Sequence, residues 1–268
     1  MAERIFLANV GANASHRFSS PLFPDGTFEF IPIPEDIELA GPSIVRYRDL
    51  RSHNAAGRDL TDHIPSRLWD WAAHSDPEFE TFTYGDNCEK SPRAASLKQL
   101  ERGDILFFIV RTLSVSDRQH GFSLVGFLEI GEVLSDVRRR PSDEVLRRFG
   151  ANAHIRRGLT DAALWDGFWV FRGTDRSRRF QRAVPVTREL ATRVFAAADG
   201  APWRWDGGRT DLQVIGSYTR SCRCVIDPGL QGHKERAAFL WEWVARAQGE
   251  SIESGQANPE KVKEQLCG

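Results

Sequence analysis

The stretch "DILFFIVRTL" (residues 104–113) is an almost unbroken apolar run entered through Gly103 and Asp104. A short run rich in Ile, Phe and Val after a Gly-Asp turn reads as a strand buried on both faces. "FSLVGFLEIGEVLSD" (122–136) follows as a second long strand, with Gly126 and Gly131 marking bends or bulges. Two long neighbouring strands place a sheet at the centre of whatever forms. Further strands are expected at residues 4–10, in "GTFEFIPIPE", "DGFWVFRGT" and "RRFQRAVPVT", and through "DLQVIGSYTRSCRCVID". Helices are expected around Arg67 to Ala73, from Ser91 to Gly103, from Ser142 to Phe149, after the capping Thr187, and across "HKERAAFLWEWVARAQ", which has an apolar face. Strands and helices do not alternate regularly, which argues against a doubly wound parallel sheet. The expectation is an α+β protein: a curved mixed β-sheet or a small barrel with surrounding helices. Residues 1–250 read as one domain and 251–268 as a polar tail.

Composition excludes several classes. The chain has 268 residues, 41% of them hydrophobic and 27% charged, enough for a sizeable core. No stretch approaches the roughly 18 apolar residues of a membrane span, and "MAERIFLANVGA" is too short and too charged for a signal peptide. A cytoplasmic protein without membrane contact is expected. The four cysteines, Cys88, Cys222, Cys224 and Cys267, form no dense framework. No CxxC or HxxxH pair suggests a metal, and "GANASH" lacks the GxGxxG and Walker patterns. No metal, no cofactor and no obligate protein partner are expected.

Charge is less even than the net of −1 suggests. Between Arg138 and Arg193 there are 14 Arg, no Lys and 6 Asp or Glu, so this segment carries 14 − 6 = +8 and the rest −9. Arg is suited to bidentate phosphate contact, and a basic segment in a near-neutral chain suggests an anionic polymer. Arg138, Arg139, Arg140, Arg176, Arg178 and Arg179 are the candidates for a DNA backbone. The alternative is a solvated face paired with acids on neighbouring elements.

Three further stretches hold groups that can do chemistry. "ANVGANASHR" places Asn13, Ser15, His16 and Arg17 in one loop after the first strand. An Asn amide can position water or read a base edge, and His16 can hydrogen-bond a leaving group; both can equally satisfy the loop's own backbone. "HSDPEFETFTYGD" gathers His74, Asp76, Glu78, Glu80 and Asp86 with Phe79, Phe82 and Tyr84. Carboxylates there can activate water or stabilise a sugar cation, and Phe82 and Tyr84 can stack on a flipped base. Asp76 and Asp86 are the leading carboxylates; the alternative is an exposed acidic loop with the aromatics packed inward. "SYTRSCR" offers Tyr218 and Arg220 for a phosphate or a polar base substituent, or Arg220 as partner to an acid. Tryptophans in and beside the Arg-rich third suit nucleic acid, with "PWRWDGG" expected on the surface and Trp169 in the core.

Two resemblances add to this reading. "LKQLERGDILFFIV…LVGFLEIGEV", with "F.R.VPV" later, resembles the centre of PUA-like barrels, in which the loop leaving the first strand walls the ligand pocket. More of the chain resembles the third type of nucleotide-modification-associated domain, through "ANVGANASHRFSSPLFPDGTFEFIPIPE", "HSDPEFETFTYGD", "SPRAASLKQLERGDILFFI" and "GSYTRSCRCVID". That resemblance implies association with systems that make or counter modified DNA bases, and DNA carrying modified bases as partner. The combined expectation is a metal-independent DNA N-glycosylase that excises a modified pyrimidine, such as glucosylated hydroxymethylcytosine, from phage DNA. Asn13, His16, Asp86 and Asp76 would be catalytic, and Ser15, Arg17, Phe82, Tyr84, Tyr218 and Arg220 substrate-binding. A non-catalytic reader of modified bases is the alternative. A modification-dependent endonuclease ranks third, because no ExK falls in a strand.

Overall fold

A computed structural model describes residues 3–55, 59–197 and 199–249. The polar tail assigned to 251–268, with Cys267, lies outside the described residues. Ten strands are present: β1 (Ile5–Val10), β2 (Ser20–Leu22), β3 (Ile33–Pro34), β4 (Ala73–His74), β5 (Thr83–Asp86), β6 (Ile105–Ser114), β7 (His120–Val137), β8 (Phe168–Gly173), β9 (Arg178–Pro185) and β10 (Arg223–Ile226). Five α-helices accompany them among the described residues: α1 (Asp143–Phe149), α2 (Ala153–Thr160), α3 (Arg188–Val194), α4 (Asp211–Tyr218) and α5 (His233–Gln248).

Eight strands make one mixed sheet in the order β10-β1-β6-β7-β8-β5, with β2 also on β6 and β9 also on β7. β1 and β2 run parallel to β6, and the other pairings are antiparallel. The fold is α+β with a curved sheet, and the sheet does not close into a barrel. β7 is the reason the sheet bends: its 18 residues serve β6 and β9 along the first half and β8 along the second. One register shift falls between Leu124 and Gly126, beside the first predicted bend, one between Ile130 and Glu132, at Gly131, and a third between Leu134 and Val137. A Cβ on Gly126 would lie 2.4 Å from the Arg178 carbonyl oxygen, so only glycine lets β9 cross this close.

β6 is buried from Ile105 to Val110, because α5 covers one face. Trp241 packs 5.1 Å from the rings of both Phe107 and Phe127, and Leu240, Val244 and Ala245 complete that apolar stripe. Several local expectations change. The expected helices at 67–73 and 91–103 are replaced by short 3-10 turns, Ser66–Leu68 and Ala95–Gln99, with no α-helix. "DLQVIGSYTRSCRCVID" is half helix and half strand, because Thr210 and Gln213 make a capping box that starts α4. "PWRWDGG" is exposed at Pro202, Arg204 and residues 206–208, but Trp203 within it is buried and stacks on Tyr218 at 4.9 Å. Trp169 is half-buried and packs against the main core, as expected.

Candidate functional site

A cleft of about 1190 Å³ opens beyond the end of β1. Its walls come from the loop after β1, the β3–β4 ribbon, β5, the start of α2, and α4 with the loop that follows it. The sheet order explains the convergence. β1 lies near one edge and β5 at the other, and the curl of β7 turns the β5 edge back towards β1.

On one side of the cleft is a cluster of buried ionisable groups. His74, Asp76 and His154 are 8%, 6% and 9% exposed, so their polar atoms need partners inside the protein. The β3–β4 ribbon sets Ile33 opposite His74 and so brings Glu35 alongside it. His74 Nδ1 lies 2.9 Å from Glu35 Oε1, and Arg157 Nε lies 3.3 Å from Glu35 Oε2. The Asp76 carboxylate accepts the Gly85 N–H at 2.9 and 3.0 Å and the Asn152 amide at 3.2 Å on each oxygen. Asn152 also caps α2, accepting the His154 N–H at 3.0 Å. One residue therefore starts the helix, orients His154 and holds Asp76. Gly85 is required for this closeness, since a Cβ there would lie 2.6 Å from His154 Cδ2 and 2.9 Å from Asn152 Oδ1.

Burial pushes the Asp76 carboxyl up to about 8, against the pull of His74, the Gly85 N–H and Asn152. Burial opposes charge on His74, yet the bond to Glu35 and the nearby carboxylates outweigh it and raise its pKa. His154, buried and beside His74, is held well below the ordinary histidine value. Asp86, also on the cleft, is raised chiefly by burial, while the Asn87 N–H and the Tyr84 hydroxyl pull it down.

The opening loop lines the same cleft through Asn13, Ser15 and His16. Its polar groups largely serve the loop. Asn13 Oδ1 accepts the Ser15 N–H at 3.0 Å and the Ser15 hydroxyl at 2.7 Å, and His16 Nδ1 accepts the Asn13 N–H at 3.1 Å. That bond leaves the His16 proton on Nε2, and burial lowers the pKa of the ring. Arg17 closes the turn in the left-handed conformation and is exposed; it does not line the cleft. Tyr84, Asp76, Asp86 and Arg220 do line it, whereas Phe82 and Tyr218 do not. Phe82 packs against the edge of the main core, and the Tyr218 hydroxyl accepts the Arg204 N–H at 3.0 Å.

Arg93, Arg111, Arg209 and Arg220 also border the cleft. Among the described residues Arg93, Arg111 and Arg220 make no ion pair. Arg111 Nε is buried and unpartnered, and burial lowers its pKa. The arginines proposed for a DNA backbone lie elsewhere and are mostly taken. Arg138 bonds Asp136 at 2.9 Å, Arg140 bonds Asp143 at 2.7 Å and Arg176 approaches Glu129 at 3.9 Å. Arg178 is half-buried with Nε unpartnered, and Arg139 is exposed. Arg179 leaves the surface row altogether. Its side chain is largely covered, over the Phe28 ring at 4.5 Å, and pairs with the buried Glu29 at 3.6 Å. Burial brings its pKa down to about 10 despite that carboxylate.

The chain matches the family described as nucleotide modification associated domain 3 over residues 4–203. It belongs to that family. No curated protein and no solved structure matches it. The domain 3 match covers the opening loop, the His74–Asp76–His154 cluster and Arg111, and it ends before α4. Membership associates the chain with nucleotide modification. No helix among the described residues is long and apolar enough to cross a membrane. Sequence reasoning singled out His74 and Asp76 as members of an acidic stretch but missed Glu35, Asn152, His154, Arg157 and Arg111. The available signal was Asn-Ala-His at 152–154, a capping residue two positions before a histidine.

Proposed function

We propose that this domain 3 protein hydrolyses the N-glycosidic bond of a modified nucleotide in DNA, releasing the base. The observation that carries this reading is the meeting, on one cleft, of carboxyl and imidazole groups with arginines that have no carboxylate partner among the described residues. Cleaving the bond sends its electron pair to the departing base and leaves positive charge on the sugar; water then adds to the sugar carbon and loses a proton. Asp86 is suited to stabilise that positive charge and to take the proton. His16, with its proton on Nε2, is suited to donate to the departing base, and the free amide N–H₂ of Asn13 to orient base or water. Arg93, Arg111 and Arg220 are suited to the phosphates flanking a flipped nucleotide. A cleft of about 1190 Å³ exceeds what a plain base fills, which favours a bulky substituent.

The reader alternative has one observation in its favour: the Asn13 and His16 groups that bond the loop's own backbone. The test separates the two. Purified protein is incubated with DNA carrying glucosylated hydroxymethylcytosine and with plain DNA, and free base and alkali-labile sites are measured. Release from the modified DNA alone supports the hydrolase. Binding without release assigns the reader role.

A further inference from the structure

The gap at the centre of the buried cluster has the size and the lining of a metal site. His74 and His154 each hold Nε2 at 3.8 Å from Asp76 Oδ2, too far for a hydrogen bond. One ligand atom from each of the three residues lies within 4.8 Å of the others. Donors about 2.1 Å from a tetrahedral ion sit about 3.4 Å apart, so both pairs at 3.8 Å need to close by only a few tenths of an ångström. The two imidazole rings meet edge to face with centroids 4.7 Å apart, and the ligand atoms of the two rings lie within 4.8 Å, the pair that must close furthest.

The surrounding shell is built as metal sites require. Glu35, paired with Arg157, lies at His74 Nδ1 and can accept its N–H, the tautomer in which Nε2 faces Asp76 as a ligand atom. Asp76 is held by two donor groups, the Gly85 N–H and the Asn152 amide, each shared between both oxygens, which leaves acceptor capacity on the carboxylate. Asn152 fixes the backbone of His154. All three residues line the cleft, so the fourth position opens towards solvent and whatever occupies the cleft.

We infer that His74, Asp76 and His154 bind one first-row divalent transition ion with an open coordination position. Two imidazoles and one carboxylate suit zinc, iron(II), manganese(II) or cobalt(II), and not calcium or magnesium, which take oxygen ligands. This site goes beyond the base-release reading and stands independently of it, since occupancy is measured without DNA.

The experiment strips purified full-length protein with a chelator, removes the chelator and titrates with zinc, counting bound metal per chain; cobalt is titrated in parallel and followed by visible absorption. The expected result is about one zinc per chain, a cobalt spectrum of nitrogen and oxygen ligation, and a higher melting temperature with zinc. His154→Gln and Asp76→Asn should each weaken binding by at least about tenfold, and His120→Ala, at a histidine that does not line the cleft, should leave it unchanged. Three outcomes overturn the inference: wild-type protein that is folded by circular dichroism yet binds no zinc; a cobalt spectrum with the intense sulfur band of cysteine ligation; or variants that bind as the wild type does. The wild-type titration decides the matter even where a variant fails to fold.

Discussion

The arginines between Arg138 and Arg193 and those around the cleft meet opposite surroundings. Nine of the 14 in the first group are in ion pairs, most with acids from elsewhere in the chain such as Glu29, Glu35, Asp136 and Asp211. Arg93, Arg111 and Arg220 are three isolated arginines in the sequence, yet they share one cleft and make no ion pair among the described residues. Local charge density therefore marks where the chain folds acids onto itself. Arginines left without carboxylates mark where an outside anion fits. Only Arg157 belongs to both groups, and it serves Glu35 and Asp36.

Separating the chemistry of the cleft from its charge should give the largest effect. Asp86→Asn keeps every arginine and should lower base release by about 100-fold or more, with DNA affinity held. Because burial raises the Asp86 pKa and the reaction needs the carboxylate, activity should fall as pH drops through a value above the ordinary 3.8. A wild-type rate that stays flat down to pH 4 would remove Asp86 from the role.

The next largest effect concerns stability. Arg179→Ala strands Glu29, which is 2% exposed. Glu29 keeps its bonds to Ser52, His53 and Asn54, so the loss should be near the lower end for a broken buried pair, about 3 kcal/mol. It should appear as a lower urea midpoint with an unchanged slope. Arg111→Ala reverses the pattern. Its guanidinium has no carboxylate to strand, so stability should hardly move, whereas anisotropy should show modified DNA binding about 10- to 100-fold more weakly, the worth of one charge-assisted bond. A large loss of stability with full affinity would break the contrast between the two groups.

The smallest change is expected from neutralising Arg138, Arg139 and Arg140 together. Three free phosphate contacts would remove nearly three from the slope of log affinity against log salt. Since Arg138 and Arg140 already hold Asp136 and Asp143, the slope should fall by less than about one and stability by less than about 0.5 kcal/mol.

Much of the frame was legible in the chain. The apolar run at 104–113, the Gly126 and Gly131 bends, the Thr187 cap and the apolar stripe of α5 each follow from local rules of periodicity and backbone freedom. The half-helix at 211–218 was missed because Val and Ile suggested a strand, while the Thr210–Gln213 capping box nucleated a helix. The opening loop and the 74–86 stretch were recognisable as polar segments at strand ends. The family, too, was readable from those strings.

Tertiary structure decided which of these groups meet. Asp76 and His154 are 78 positions apart, and they meet because α2 docks its capping Asn152 onto the Asp76 carboxylate. It also decided which charges are free, since an ion pair depends on distance through space and an arginine's partner need not be near in sequence. Sequence determines the elements because their causes are local: side-chain period, capping and glycine freedom. The site arises from the burial of distant ionisable groups together, a property that no local stretch carries.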